Sequence, residues 1–160
     1  MNTLHELFVH TILDLYSAET QLSKVLPELV QLATNEALSD AFAVHAEETE
    51  RQIERLKKIC DLLGITPGNV VCEGMKGLLK EATMMVAEWL PDALLDVALV
   101  DAAQKVEHYE IAGYMAAASM AEILNLDEVR ELLEATLIEE DTTSTILEEL
   151  ATEVLYEEAA

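Results

Sequence analysis

The sequence has few of the residues that interrupt helices or build disulfide frameworks. Its 160 residues include five glycines, three prolines and two cysteines, and aromatic residues make up 4%. So little glycine and proline favours long helices over the many turns of a β-protein. The two cysteines, Cys60 and Cys72, are too few for a disulfide framework, and we expect both to be reduced, inert thiols.

Basic residues are also scarce. Nine Lys and Arg stand against 32 Asp and Glu, which gives a formal net charge of −23. Nucleic-acid binding needs clustered basic side chains, so this charge argues against DNA or RNA as a partner. An acidic surface favours solubility and raises the local concentration of cations.

Long hydrophobic runs are missing as well. No apolar run reaches the roughly 18 residues that a membrane span needs, and the first residues do not have the pattern of a signal peptide. We therefore expect no membrane association and a cytoplasmic location. Hydrophobic residues nevertheless make up 51% of the chain, which argues against disorder. The length suits a single domain, residues 1–160, with a hydrophobic core.

The apolar residues recur with the period of an α-helix along nearly the whole chain. The predicted helices cover about residues 3–33, 35–64, 71–89, 91–124 and 127–156. Asn35 and Asp127 are the predicted N-caps of the second and fourth long helices. Gly64 lies at the predicted end of the second helix, and Pro91 in the first turn of the third long helix.

The long segment between the two helix pairs predicts the topology. Short turns join the first long helix to the second and the third to the fourth, whereas residues 64–91 separate the pairs. At ~1.5 Å per helical residue and ~3.3 Å per extended residue, this segment can travel the whole length of the bundle. One long crossover is typical of ferritin-like bundles. We therefore predict an all-α, ferritin-like four-helix bundle whose single crossover contains a short extra helix.

One glutamate lies on or beside the apolar stripe of each long helix. These four residues are Glu19, Glu48, Glu110 and Glu140. In a four-helix bundle such positions converge on the axis. Four ionised carboxylates in a dry core would repel one another at a cost of several kcal/mol each.

Two divalent cations would satisfy these four carboxylates, and carboxylates bind hard metals well. The pattern predicts a site for two metal ions, iron first, with manganese or zinc as alternatives. The competing interpretation is coincidence in a very acidic chain.

Two more side chains are predicted to lie next to these glutamates. His45 precedes Glu48 by three residues, and Glu107 precedes Glu110 by three. His45 is either a metal ligand or a core imidazole that hydrogen-bonds a carboxylate. Glu107 is either a ligand or a flanking acid near the edge of the helix. The candidate metal ligands are therefore Glu19, Glu48, Glu107, Glu110, Glu140 and His45.

The predicted site is asymmetric. Sites of this type usually have a histidine three residues after the glutamate on the second and fourth long helices, but Arg51 and Thr143 stand there instead. The second and third long helices run parallel in this topology, so His45 and Glu107 should lie on one side of the carboxylate layer. Ser144 should face that side too. The side chains predicted on the other side are the neutral Tyr16 and Gln52.

Other polar residues near the stripes are interpreted as structural. His108 faces about 160° away from Glu110 on an ideal helix, so we expect it at the surface. Tyr16, Tyr109 and Tyr114 are interpreted as packing residues rather than radical carriers.

The third long helix also predicts a partner. Its segment 113–120 is rich in small residues, which allow another helix to approach closely. The opposite face is more apolar than solvent exposure requires. The residues of this face are Ile111, Ala112, Met115 and Ala118. We therefore expect a homodimer rather than a monomer or a storage cage.

Five segments resemble a known family. They are "LYSAETQL", "HAEETERQIERL", "CEGMKGLLKEA", "AAQKVEHYEIAGY" and "LIEEDTTSTILEELA", and they are similar to the ferritin-like YciE/YciF family of bacterial stress-associated proteins over about residues 3–152. The resemblance implies a cytoplasmic, dimeric helical bundle with a di-metal site and no established substrate. Carried over by position, the resemblance supports five glutamates as metal ligands: Glu19, Glu48, Glu107, Glu110 and Glu140. Many members have an Asp where this chain has Ser144.

Three functions follow as hypotheses. The first is an oxidoreductase-like protein whose di-iron or di-manganese site reacts with dioxygen or peroxide in a stress response. The second is a non-catalytic metal-binding protein, such as a small iron buffer. The third is a helical interaction module whose acids are incidental. Metal analysis separates the third from the others, and a peroxide-dependent spectral change separates the first from the second.

Overall fold

A computed structural model describes residues 1–88 and 90–160, and over these residues the chain contains helices and no strands. The elements are α1 (Leu4–Leu32), α2 (Glu36–Leu63), α3 (Glu73–Val86), α4 (Asp92–Ile123), α5 (Asp127–Leu150), a π-helical turn (Ala151–Leu155) and α6 (Tyr156–Ala159). α1 pairs with α2 and α4 with α5, and α3 packs on α1 and α4 within the crossover. The predicted all-α, ferritin-like bundle with one long crossover is confirmed.

The ends of α1 and α2 agree with the sequence pattern. The Thr3 side chain accepts from the Glu6 backbone and the Glu6 side chain accepts from Thr3, which forms a capping box. The Asn35 side chain accepts from the first backbone N–H groups of α2, as predicted. Gly64 then ends α2 at φ 65°, a left-handed conformation that glycine adopts at little cost.

Three predicted boundaries need correction. Asp127 is the first residue of α5 rather than its cap, because Asn125 adopts φ 56° and Leu126 packs on the core. Asp127 still stabilises α5 as an acid in the first turn. The crossover helix runs from Glu73 to Val86, and its predicted end at residue 89 lies outside the described residues. The fourth long helix ends at Leu150, where the π-helical turn begins.

The hydrophobic core is divided into two end clusters with a polar layer between them. The first cluster includes Phe8, Ile12, Leu15, Leu56, Ile59 and Leu133. The second includes Leu38, Phe42, Leu99, Val100, Leu147 and Leu155. A third cluster lies beneath α3 and joins it to α1 and α4 through Leu22, Leu26, Cys72, Met75 and Val106. The end clusters bury large apolar side chains above and below the polar layer and separate it from water at both ends.

A buried acid that the sequence pattern did not single out connects the two halves. Asp96 of α4 is 2% exposed and accepts hydrogen bonds from the Thr34 backbone, the Thr34 hydroxyl and the Asn35 backbone at 2.8, 2.6 and 2.9 Å. These three donors satisfy the carboxylate. Asp96 therefore fixes the turn between α1 and α2 against α4, and its role is structural.

The surface of α4 only partly agrees with the expected dimer face. Met115 is 54% exposed and Ala112 is exposed, whereas Ala118 is 8% exposed and belongs to the first end cluster. Ala118 was wrongly placed on this face, since α4 also packs against α1 and α5. The homodimer itself stays a prediction. None of the described helices has the length and apolar character needed to cross a membrane.

Candidate metal centre

The polar layer of the bundle contains five of the six candidate ligands in fully buried positions. Glu19 comes from α1, His45 from α2, Glu107 and Glu110 from α4, and Glu140 from α5. None of these five residues is more than 2% exposed. The apolar stripe of each helix turns its glutamate inward, because the neighbouring positions on the same face belong to the core clusters.

Four of these side chains form a compact group. His45, Glu107, Glu110 and Glu140 each offer one ligand atom, and these atoms all lie within 4.8 Å of one another. Nε2 of His45 lies 3.0 Å from Oε1 of Glu107. Glu107 is therefore buried inside the site and is not a flanking acid near the edge of the helix. The His45 contact fits both interpretations of that residue, a ligand and an imidazole that contacts a carboxylate.

Most carboxylate oxygens of this group are unusual because they have no hydrogen-bond partner. With the acids ionised, no described residue hydrogen-bonds either carboxylate oxygen of Glu110 or of Glu140, and Oε2 of Glu19 and Nδ1 of His45 are also unpartnered. A protonated Glu140 can hydrogen-bond Glu107. Native proteins nearly always pair buried polar atoms, since each unmet group costs about 1–3 kcal/mol. Hard divalent cations prefer such carboxylate oxygens, and histidine is a common ligand of iron, manganese and zinc. The residues present therefore fit such an ion.

Glu19 is held by a tyrosine that sequence reasoning assigned to packing. The Tyr114 hydroxyl donates to Oε1 of Glu19 at 2.5 Å, and both residues are 0% exposed. Tyr114 follows Glu110 by one helical turn, so its spacing was a signal that could have placed it at the site. Tyr109 has a different contact, since its hydroxyl lies 2.9 Å from Sγ of Cys72.

Glu48 differs from the other candidate ligands because its side chain is 20% exposed. Oε2 of Glu48 accepts from the Thr143 hydroxyl at 3.3 Å, and Oε1 lies 3.7 Å from the guanidinium of Arg51. Arg51 and Thr143 are the two residues that replace the usual histidines. The structure places Glu48 at the rim of the polar layer, and neither Glu48 nor Glu19 belongs to the compact group of four.

Burial shifts the protonation of the acids. It raises the pKa of Glu19 to about 7, although the Tyr114 hydrogen bond acts in the opposite direction. Burial and the neighbouring acids raise the pKa of Glu110 and of Glu140 well above the ordinary value. Burial alone would lower the pKa of His45, but the adjacent Glu107 carboxylate outweighs it and the net direction is upward. Without a cation, the site therefore retains protons near neutral pH.

Some side chains that were expected next to the site hydrogen-bond other residues instead. The Ser144 hydroxyl donates to Oε1 of Gln104 at 3.1 Å, and Gln104 in turn donates to the Ser144 carbonyl. Nε2 of Gln52 donates to Glu139 at 3.2 Å, and Arg55 donates twice to the same carboxylate at 2.6 Å. Burial would raise the pKa of Glu139, but Arg55 lowers it overall. His108 is exposed, as expected.

Comparison with known proteins identifies the family. Residues 3–160 match the family described as "Domain of unknown function (DUF892)". The chain belongs to the DUF892 family. Protein YciF of Escherichia coli K12 is 41% identical over 138 residues, which cover 86% of this chain and 83% of YciF. The resemblance to YciE and YciF that the sequence motifs suggested is confirmed.

Solved structures of family members have the same fold. The crystal structure of the E. coli stress protein YciF matches with a TM-score of 0.91 and 41% identity, covering 94% of this chain and 96% of that one. YcfI from Rhodopseudomonas palustris matches with a TM-score of 0.90 and 40% identity, covering 92% and 94% of the two chains. The chain is thus a homologue of a stress protein and contains a buried His/Glu group that could hold a metal ion.

Proposed function

We propose that this protein binds two divalent metal ions, iron first and manganese or zinc as alternatives, and acts in the bacterial cytoplasm during stress. Glu19, Glu107, Glu110 and Glu140 would hold the ions together with His45, and Glu48 would complete the site from its rim. The observation that carries the proposal is the set of buried carboxylate oxygens without partners. Incidental acids of an interaction module would instead be solvated at the surface.

Metal ions at this position would supply a redox-active, Lewis-acidic centre. The chain's own residues prepare the site for them. Tyr114 holds a proton against Oε1 of Glu19 and so fixes the orientation of that carboxylate. The two end clusters exclude bulk water from the layer, which strengthens every charge interaction within it.

A small recess beside the site would admit an oxidant. It lies between α1, α3 and α4, has a volume of about 20 Å³, and is lined by apolar side chains together with His45 and Glu107. A volume of this order holds about one water-sized molecule. This size supports dioxygen or peroxide as the molecule that meets the centre. An iron buffer without catalysis would use the same ligands, and only an oxidant-dependent spectral change separates the two functions.

Metal titration with calorimetry is the experiment that tests the proposal. Protein stripped with a chelator should bind close to two Fe(II) or Mn(II) per chain far more tightly than a surface carboxylate binds them. Release of protons should accompany binding, because Glu19, Glu110 and Glu140 have raised pKa values and must ionise to become ligands. Affinity only in the millimolar range, with no proton release, would contradict the proposal.

The two ions should differ in affinity. His45 and Glu107 lie in contact at 3.0 Å, so the end of the site that contains them should bind the tighter ion. His45→Ala should weaken that ion by about 10- to 100-fold, the usual range for a lost supporting group, and leave the other nearly unchanged. His108→Ala is the matched control, since that imidazole is exposed on α4. An equal effect of His45→Ala on both ions would show that the site is a symmetric carboxylate cage.

A further inference from the structure

A second, much larger cavity opens on the opposite side of the site. It is a groove of about 400 Å³ between α2 and the C-terminal half of α5, and the π-helical turn contributes Glu153 and Val154 to it. This volume lies in the range of small-molecule sites. Its walls are mainly aliphatic, formed by Ala41, Val44, Ile146, Leu150 and Val154. Val44 and Ile146 are 55% and 43% exposed, so the structure leaves this apolar surface uncovered.

The groove ends at the candidate metal centre. Glu48 and Thr143, which share a hydrogen bond, both line it. Glu48 is also the candidate ligand with appreciable exposure, at 20% of its side chain. A molecule in the groove would therefore lie against Glu48, the partly exposed candidate ligand at the rim of the buried layer.

The charges in the groove restrict what can occupy it. Its described lining contains four acids, Asp40, Glu48, Glu149 and Glu153, and no Lys, Arg or His. Because α2 and α5 run antiparallel, Asp40 lies near Glu149 and Glu153 at one end, and Glu48 lies at the other. Asp40 and Glu48 are eight residues apart on α2, which corresponds to about 12 Å. The groove thus has an aliphatic middle and acids at both ends, although the guanidinium of the exposed Arg51 lies 3.7 Å from Oε1 of Glu48.

We propose that this groove binds an aliphatic amine with a cationic group at each end, a diamine or polyamine. The aliphatic chain would cover Val44 and Ile146, and the ammonium groups would pair with the acids at the two ends. The four negative charges disfavour fatty acids and phosphate esters. Only the placement of this ligand beside a metal centre rests on the proposed function; the groove and its charges do not.

A second copy of the chain is a poor occupant of the same surface. Two copies that met through this groove would bring acidic residues against acidic residues, since the lining has no basic partner for them. Like charges placed opposite each other across an interface cost several kcal/mol. Charge complementarity therefore favours the organic cation over self-association at this face.

Calorimetry on the metal-free protein tests the proposal with diaminooctane, putrescine and octanoate at one salt concentration. Diaminooctane should bind one per chain and about tenfold more tightly than putrescine, which has the same charge but a shorter chain. Octanoate should not bind. Equal affinity for the two diamines would mean that they act only as counterions of an acidic surface, and binding of octanoate would overturn the charge argument.

Variants locate the binding. Ile146→Asn and the double variant Glu149→Gln, Glu153→Gln should each weaken diaminooctane at least about fivefold, since they remove the apolar wall and one acidic end. Glu131→Gln is the control, because Glu131 is exposed on α5 outside the groove. An equal loss with Glu131→Gln would overturn the proposal. The proposal would also be overturned if light scattering showed that Ile146→Asn converts a dimer to monomers while diaminooctane fails to bind the wild-type protein.

The same samples separate this inference from the proposed function. Metal titration of the groove variants should give wild-type stoichiometry, because none of the substituted residues is a candidate ligand. Protein that binds metal but no diamine would overturn the groove proposal alone. Protein that binds the diamine but no metal would contradict the proposed function and leave the groove site standing.

Discussion

Replacement of Glu110 by leucine should abolish binding of at least one metal ion and make the metal-free protein more stable. Glu110 is 0% exposed, neither of its carboxylate oxygens has a partner, and its burial raises its pKa well above the ordinary value. Leucine fills a similar volume without a polar group to desolvate. Exchanges of this kind in buried charged clusters stabilise proteins by about 1–4 kcal/mol. Urea denaturation with a chelator and calorimetric metal titration measure the two effects.

Two controls make the Glu110→Leu result specific. Glu110→Ala should also lose metal, but the space it leaves should cancel part of the gain in stability. Glu122→Leu on the same helix replaces an exposed acid and should leave the metal stoichiometry unchanged. A Glu110→Leu variant that still binds two ions at wild-type affinity would mean that Glu110 is not a ligand. A variant less stable than the wild type by several kcal/mol would mean that the carboxylate has a structural role.

Metal-free protein should lose stability as the pH rises from about 5 to 8. The folded-state pKa of Glu19 is raised from 4.5 to about 7, so the native state holds a proton there that the unfolded state releases. That stability is complete below pH 4.5 and is lost as the pH rises through 7. A shift of this size corresponds to about 3 kcal/mol. Glu110, Glu140 and His45 also have raised pKa values, so they act in the same direction.

Urea denaturation at pH 5 and pH 8 in the presence of a chelator measures this effect. Glu19→Gln should reduce the change in the free energy of unfolding between pH 5 and pH 8 by the amount that Glu19 contributes. Added Fe(II) or Mn(II) should reverse the trend, because the ions bind the ionised carboxylates. A metal-free protein whose free energy of unfolding rises with pH over this range would contradict the assignment of a protonated cluster.

The fold could be predicted from the sequence because its signals are local and repeated. The helices follow from signals that act within a few residues: the helical period of the apolar positions, the scarcity of glycine and proline, and the helix ends at Asn35 and Gly64. The crossover follows from the length of segment 64–91. The errors lie where tertiary packing decides. Leu126 contacts the first end cluster, and α5 begins at Asp127, one residue earlier than it would with Asp127 as its cap. No pattern in the sequence predicts the π-helical turn after Leu150.

The sequence predicts which helix faces point into the candidate site, but it does not predict which side chains contact each other there. Spacing places Glu19, Glu110 and Glu140 on inward faces, and all three are fully buried. The same spacing cannot show that Glu48 is partly exposed, because its position depends on contacts with Thr143 and Arg51. Nor could it pair Tyr114 with Glu19, which come from different helices and lie 95 residues apart.

Anomalous scattering at the iron edge, from crystals of protein loaded with Fe(II), tests the central claim most directly. We expect two peaks per chain inside the polar layer, bounded by Glu19, His45, Glu107, Glu110 and Glu140. His45 should lie toward the stronger peak. Peaks confined to surface carboxylates, or none at all in protein whose Glu110 and Glu140 remain buried and unpartnered, would contradict it.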